Sequence, residues 1–162
     1  SLQALPSILL ALLLATIWSP GFPVVLWAIA LGNIPIFLRV ARNQALSIKE
    51  RPYVEAARAL GASDLRLVLR HILPNLQGAL LVQFSISLAG AILVEASLSY
   101  LGVGIQPPDP SWGRMLREAQ AYGSLAPWLV LVPGLFIALA VVGFNLLGDN
   151  WVFSREQLYK RE

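Results

Sequence analysis

Residues 1 to 38 carry no charged side chain. About 20 residues at ~1.5 Å each cross a ~30 Å hydrocarbon core, so this run is too long for one span. Ser19-Pro20-Gly21-Phe22-Pro23 supplies a break, because two prolines and a glycine make a turn rather than a helix interior. The pattern predicts spans near 5–18 and 23–38. Trp18 and Phe22 fall at the turn, where amphipathic aromatics favour the membrane interface. Further uncharged runs cover 71–94, ended by Glu95, and 125–148, ended by Asp149. They predict spans near 76–98 and 125–148. The short first run and the absence of a basic segment ahead of it read as a piece of a longer protein entered at a span boundary.

Between the second and third spans the pattern turns polar. Arg39, Arg42, Lys49, Arg51, Arg58, Arg66 and Arg70 stand against Glu50, Glu55 and Asp64. Pro52 suits a first helical turn, and Glu55 there favours the helix dipole and can pair with Arg58. Val54, Ala57 and Leu60 share one face. Gly61 fits the position just past a helix C-terminus, where φ is often positive. Ser63 is a good N-cap for a second helix, with Asp64 in its first turn. Leu65, Val68, Leu69 and Ile72 then form an apolar stripe, and Pro74-Asn75 separate this helix from the third span. The segment 52–74 is therefore expected to be two short helices bent at Gly61. From its residues alone it reads equally as a linker and as a docking element, since small Ala56, Ala57 and Ala59 let another backbone approach.

Composition agrees with the pattern. Hydrophobic residues make up 57% of the 162 and charged residues only 13%, against roughly a quarter charged in soluble domains. Mean hydropathy is +0.67. A soluble domain this short could not bury runs of this length. There is no cysteine, which excludes disulfide and thiolate chemistry, and the single histidine, His71, excludes a multi-histidine metal site within the chain. The basic residues set the orientation. Seven lie in the central segment, three in the tail (Arg155, Lys160, Arg161) and two, Arg114 and Arg117, in 99–124. The positive-inside rule then puts both ends of the chain and the 52–74 segment in the cytoplasm, and 99–124 outside.

Glu55-Ala56-Ala57, Gly61 after three further residues, and Leu73-Pro74 resemble the EAA loop of binding-protein-dependent ABC transporter permeases. One departure is His71, where that pattern usually has isoleucine. Arg70-His71-Ile72-Leu73-Pro74-Asn75, Leu98-Ser99-Tyr100-Leu101-Gly102-Val103-Gly104, Pro110-Ser111-Trp112-Gly113 and Phe144-Asn145-Leu146-Leu147-Gly148-Asp149 extend the resemblance along nearly the whole chain. They resemble the second permease subunit of oligopeptide, dipeptide and nickel importers.

The resemblance implies an all-α membrane protein. Four transmembrane helices and a cytoplasmic two-helix coupling loop would form part of a six-span type I ABC importer permease fold, with about two spans outside the chain. It implies a multi-pass subunit of the inner or plasma membrane, surrounded by lipid and paired with a second permease subunit. Cytoplasmic ABC ATPase subunits would drive it and an external solute-binding protein would deliver peptides or a related small solute such as nickel. Glu55, Ala56, Ala57, Gly61, Leu73 and Pro74 would be the coupling residues. No cofactor, metal or nucleic acid is implied. The chain contains no Gly-x-x-x-x-Gly-Lys-Ser/Thr phosphate loop, so ATP hydrolysis is expected in a partner and the chain is not expected to be an enzyme.

Within the third predicted span, Gln77, Gln83, Ser85 and Ser87 would face protein or a water-filled path rather than lipid. Gln83, Ser87 and Glu95 share roughly one face. With Gln77 they are the translocation-path candidates. Glu95 is ionisable at membrane depth, which is costly and often functional. It serves either a path or an inter-subunit hydrogen bond, or else it snorkels to the interface or pairs with Arg114 or Arg117. The segment 99–124, with Gly102, Gly104, Pro107, Pro108, Pro110 and Trp112, is expected to be bent and to have little regular structure. It would serve as a re-entrant cover, a binding-protein contact or a rigid connector. Asn145 and Asp149, at the cytoplasmic end of the last span, would either cap or anchor it against the coupling loop or simply anchor it at the interface.

Two rivals stand beside the permease reading. A self-sufficient channel or secondary carrier would need a charged relay or broken helices in the bilayer, and only Glu95 qualifies. A membrane enzyme built on His71 would need a second group facing it, and only Asp149 lies near its depth. His71 reads as an interfacial residue.

Overall fold

The structure, a computed structural model, describes residues 7–159, with side chains for 8–148. Leu5, the tail residues Lys160 and Arg161, and the side chains of Asp149 and Arg155 lie outside it. The described residues form helices and turns, with no strand. Helix α1 is Ser7–Ile17, α2 is Phe22–Lys49, α3 is Pro52–Ala59 and α4 is Asp64–Leu67. A π-helical turn, Val68–Ile72, leads into α5, Leu73–Leu101. Then come α6, Trp112–Ala119, a 3₁₀ turn at Gln120–Tyr122 and α7, Trp128–Tyr159.

Three stretches are long and apolar enough to cross a membrane: Phe22–Lys49, Asp64–Leu101 and Trp128–Gly148. Helix α1 has 11 residues, a rise of about 16 Å, short of the ~30 Å core. Of the four expected spans, the first is thus too short by length among the described residues. At most 17% of each long stretch's most apolar window is buried. Apolar surface so little covered by its own chain is stable only against lipid or other protein.

The break expected at 19–23 is present at 18–21, with Phe22 and Pro23 already inside α2, and two other expected breaks fail. Helix α2 continues past Leu38 to Lys49, since Arg39, Arg42 and Lys49 are compatible with a helix that projects beyond an apolar core. Lys49 sits in its last turn, where a cation favours the dipole. Nor do Pro74 and Asn75 end a helix. Proline has no N–H and its ring clashes with the carbonyl four residues back. The ladder here widens to a five-residue turn over Val68–Ile72 and runs on, giving one continuous helical stretch, Asp64–Leu101.

The described residues divide into two compact units, those up to 35 with 86–146, and 36–85 with those from 147 on. In the first, Ala11, Val25, Ala28 and Leu98 form the buried centre, packed by Leu14, Ile29, Val94 and Val103. Fully buried Ala11 and Ala28 let α1, α2 and α5 approach closely, as small residues do between membrane helices. In the second, Ile48, Val54, Leu67 and Leu76 form the centre, joined by Ala57 and Ile72.

Helix α6 was not expected within 99–124. Ser111 caps it, its Oγ accepting the Arg114 N–H at 3.3 Å. Trp112, Met115, Leu116 and Ala119 recur at helical spacing, which is the signal that could have found it.

Candidate functional site

The bend at Gly61 is built by the backbone. The Ala62 N–H donates to the Ala57 carbonyl at 3.1 Å and the Gly61 N–H to the Arg58 carbonyl at 2.9 Å. This pair of bonds is the Schellman motif, which satisfies the last carbonyls of α3. Gly61 has φ +84°, a conformation that costs an L side chain but not glycine. No atom lies within 4 Å of where a Cβ would stand, so backbone strain alone selects glycine. Pro52 opens α3 and Glu55 occupies its first turn, as expected. Ser63 takes the N-cap position of α4 without a side-chain cap bond.

The packing of this segment differs from the expected faces in three respects. Val54 is buried at 1% and Ala57 packs beside it, but Leu60 is 90% exposed, because it follows the last turn of α3. On the next helix the buried residue is Leu67, whereas Leu65 and Leu69 point outward. The π turn holds about 4.4 residues, so it shifts the phase that a 3.6 period would assign, and Leu67, Ile72 and Leu76 come onto one side. Arg58 pairs with Asp64 across the bend at 3.6 Å rather than with Glu55.

Glu55, Ala56, Ala57 and Gly61 therefore sit together on α3 and its bend. Leu73 and Pro74 begin α5, beyond the π turn. All but Ala57 are exposed. Beside them an open cavity of about 740 Å³ is lined by Lys49, Val54, Arg58, Asp64, Leu67 and Ile72. His71 lies against Tyr53, ring centroids 6.1 Å apart. The Asn75 amide donates to the His71 carbonyl at 2.6 Å and to the Tyr53 hydroxyl at 3.3 Å. Among the described residues no group of three metal-ligating side chains occurs.

All four path candidates lie on α5. Gln77 is exposed, and Gln83, Ser87 and Glu95 are half-buried. The Ser85 hydroxyl donates to its own helix, to the Leu81 carbonyl at 3.2 Å. Asn145 is exposed.

Glu95 has partners that sequence reasoning missed. Its Oε1 accepts from Ser99 Oγ at 2.7 Å and from Ser111 Oγ at 2.8 Å. Ser99 lies one turn along α5 from Glu95, a legible spacing, whereas Ser111 is sixteen residues away and its approach depends on the fold. Among the described residues no ion pair joins Glu95 to Arg114 or Arg117. Arg114 Nε lies 3.2 Å from Glu118 Oε1, and among the described residues the buried Arg114 Nε and Nη1 make no hydrogen bond. Near this cluster α5, α6 and α7 line an open, apolar cavity of about 450 Å³ with Leu93, Tyr100, Leu116 and Ile137, among others.

The family model described as binding-protein-dependent transport system inner membrane component matches residues 1–156. The chain is similar to glutathione transport system permease proteins GsiD of Escherichia coli O1:K1 / APEC, Shigella flexneri serotype 5b and Shigella boydii serotype 4. Each is 44% identical over 149 residues, covering 92% of this chain and 49% of the relative. The chain thus spans about half the length of these relatives. With the family match running from α1 through the bent segment to the last helix, the chain belongs to the binding-protein-dependent transport system inner membrane component family.

Proposed function

We propose that the chain is a membrane-spanning permease part of an ATP-driven importer. It acts beside a second permease subunit, with separate ATPase subunits on the cytoplasmic side and a solute-binding protein outside. Both ends of the chain and the 52–74 segment face the cytoplasm in this reading, as the distribution of basic residues favours. The observation that carries it is the segment of α3, the Gly61 bend and α4. It is short, charged and braced underneath by Val54 and Leu67, while Leu60, Leu65 and Leu69 stay uncovered on its outside. Uncovered leucines beside charged residues suit a protein partner better than water.

Coupling then works as a lever. The ATPase grips Glu55, Ala56 and the apolar rim around Gly61. Ala57 packs inward, and Leu73 and Pro74 carry the displacement into α5 through the π turn. A rigid short helix attached to a span can pass on a rigid-body shift. Gln77, Gln83 and Ser87 are the residues of α5 assigned to the solute path. The solute is a peptide or a related small solute such as nickel, and the relatives named for glutathione, itself a short peptide, favour the peptide side of that choice.

The test is co-purification of the assembled transporter. The chain should bring its ATPase subunit with it, and Glu55→Lys combined with Gly61→Val should lose the ATPase while membrane insertion persists. Retention of the ATPase by the inserted double variant would refute the docking role.

A further inference from the structure

Glu95, Ser99 and Ser111 form a closed set of hydrogen bonds. Ser99 is 1% and Ser111 7% exposed. Each hydroxyl has one proton to donate, and each gives it to Glu95 Oε1. Each also accepts a backbone N–H: Ser99 Oγ from Ile105 at 2.9 Å and Ser111 Oγ from Arg114 at 3.3 Å. One carboxylate oxygen therefore orients two hydroxyls, which in turn fix the loop after α5 and the start of α6. The fit is tight at two glycines. A Cβ on Gly104 would strike Ser99, and one on Gly113 would strike the Ala96 carbonyl.

We propose that Glu95 is a positioning residue. It clamps the 102–105 loop and α6 to the end of α5, so that this segment moves with α5 when the span moves. The clamp needs an oxygen that accepts two hydrogen bonds. It does not need a charge presented to solute. Glutamine keeps such an oxygen, and alanine does not. The link to uptake rests on the permease reading, but the clamp itself does not.

This chain has no cysteine of its own, so labelling that appears only when Ala119→Cys is introduced on α6 reports that site, which is 5% exposed. In membrane vesicles holding the assembled transporter, the labelling rate with a water-soluble maleimide is measured, together with solute uptake. Glu95→Gln should label as slowly as the unmutated background and retain uptake. Glu95→Ala should label at least tenfold faster and lose most uptake. Ser99→Ala and Ser111→Ala should also speed labelling, and they carry the test if Glu95→Ala fails to insert. Unchanged labelling in the alanine variants overturns the clamp. Loss of uptake in Glu95→Gln with labelling still slow overturns it too, because the charge itself would then be required. Absence of uptake in the unmutated assembly would count against the permease reading alone, and the labelling comparison would still decide the clamp.

Discussion

At the scale of single residues, Gly61 is the position where one atom matters most. Its φ of +84° with open space around it means that any substitution meets strain and no clash. A non-glycine residue in this region costs on the order of 1–3 kcal/mol, asparagine least and β-branched residues most. Thermal unfolding of the assembled protein in detergent should therefore rank Gly61, then Asn, then Ala, then Val. Equal stability for Gly61→Val would mean that the bend is not held as described. The Arg58–Asp64 pair beside it is 53% and 92% exposed. Such a pair contributes at most about 1 kcal/mol, so the Schellman bonds and the buried Val54 and Leu67 hold the bend.

At the scale of elements, α6 rests on α5 through Gly113, where the two helix backbones meet. Gly113→Val would push α6 off the Ala96 carbonyl. Overpacking of this kind costs about 1–3 kcal/mol, so a lowered melting temperature is expected together with faster labelling at Ala119→Cys. A variant as stable and as slowly labelled as the parent would contradict the packing. Much of the element plan was legible from the sequence. The turn at 18–21, the helix opened by Pro52 and the stop at Gly61 follow from local chemistry, in which proline and glycine restrict a few dihedrals whatever surrounds them. What was not legible depended on distant contacts or on phase. Pro74 reads as a helix end unless the π turn absorbs its ring. That extra residue per turn then exchanges Leu65 and Leu69 for Leu67 on the buried side. Helix α6 hid among prolines and glycines, and Ser111 became a partner of Glu95 only once α6 was laid against α5.

At the scale of the whole molecule, three apolar stretches long enough to span leave most of their surface uncovered by the chain itself. Membership of a family of inner-membrane transport components agrees with this, since apolar surface so little covered by its own chain is unsuited to water. The candidate site was legible as a motif, because the spacing from Glu55 to Gly61 to Pro74 is local. The structure adds that α4 runs into α5 as one continuous helical stretch, Asp64–Leu101, and the proposed lever rests on that continuity. In the proposed mechanism this lever couples ATP hydrolysis to movement of the spans. The most direct measurement compares ATPase activity and solute uptake in reconstituted transporter carrying Gly61→Pro, since proline's fixed φ near −65° cannot adopt the bend. Hydrolysis should continue while uptake falls at least tenfold, with the variant inserted in normal amount. Full uptake by that stably inserted variant would contradict the account.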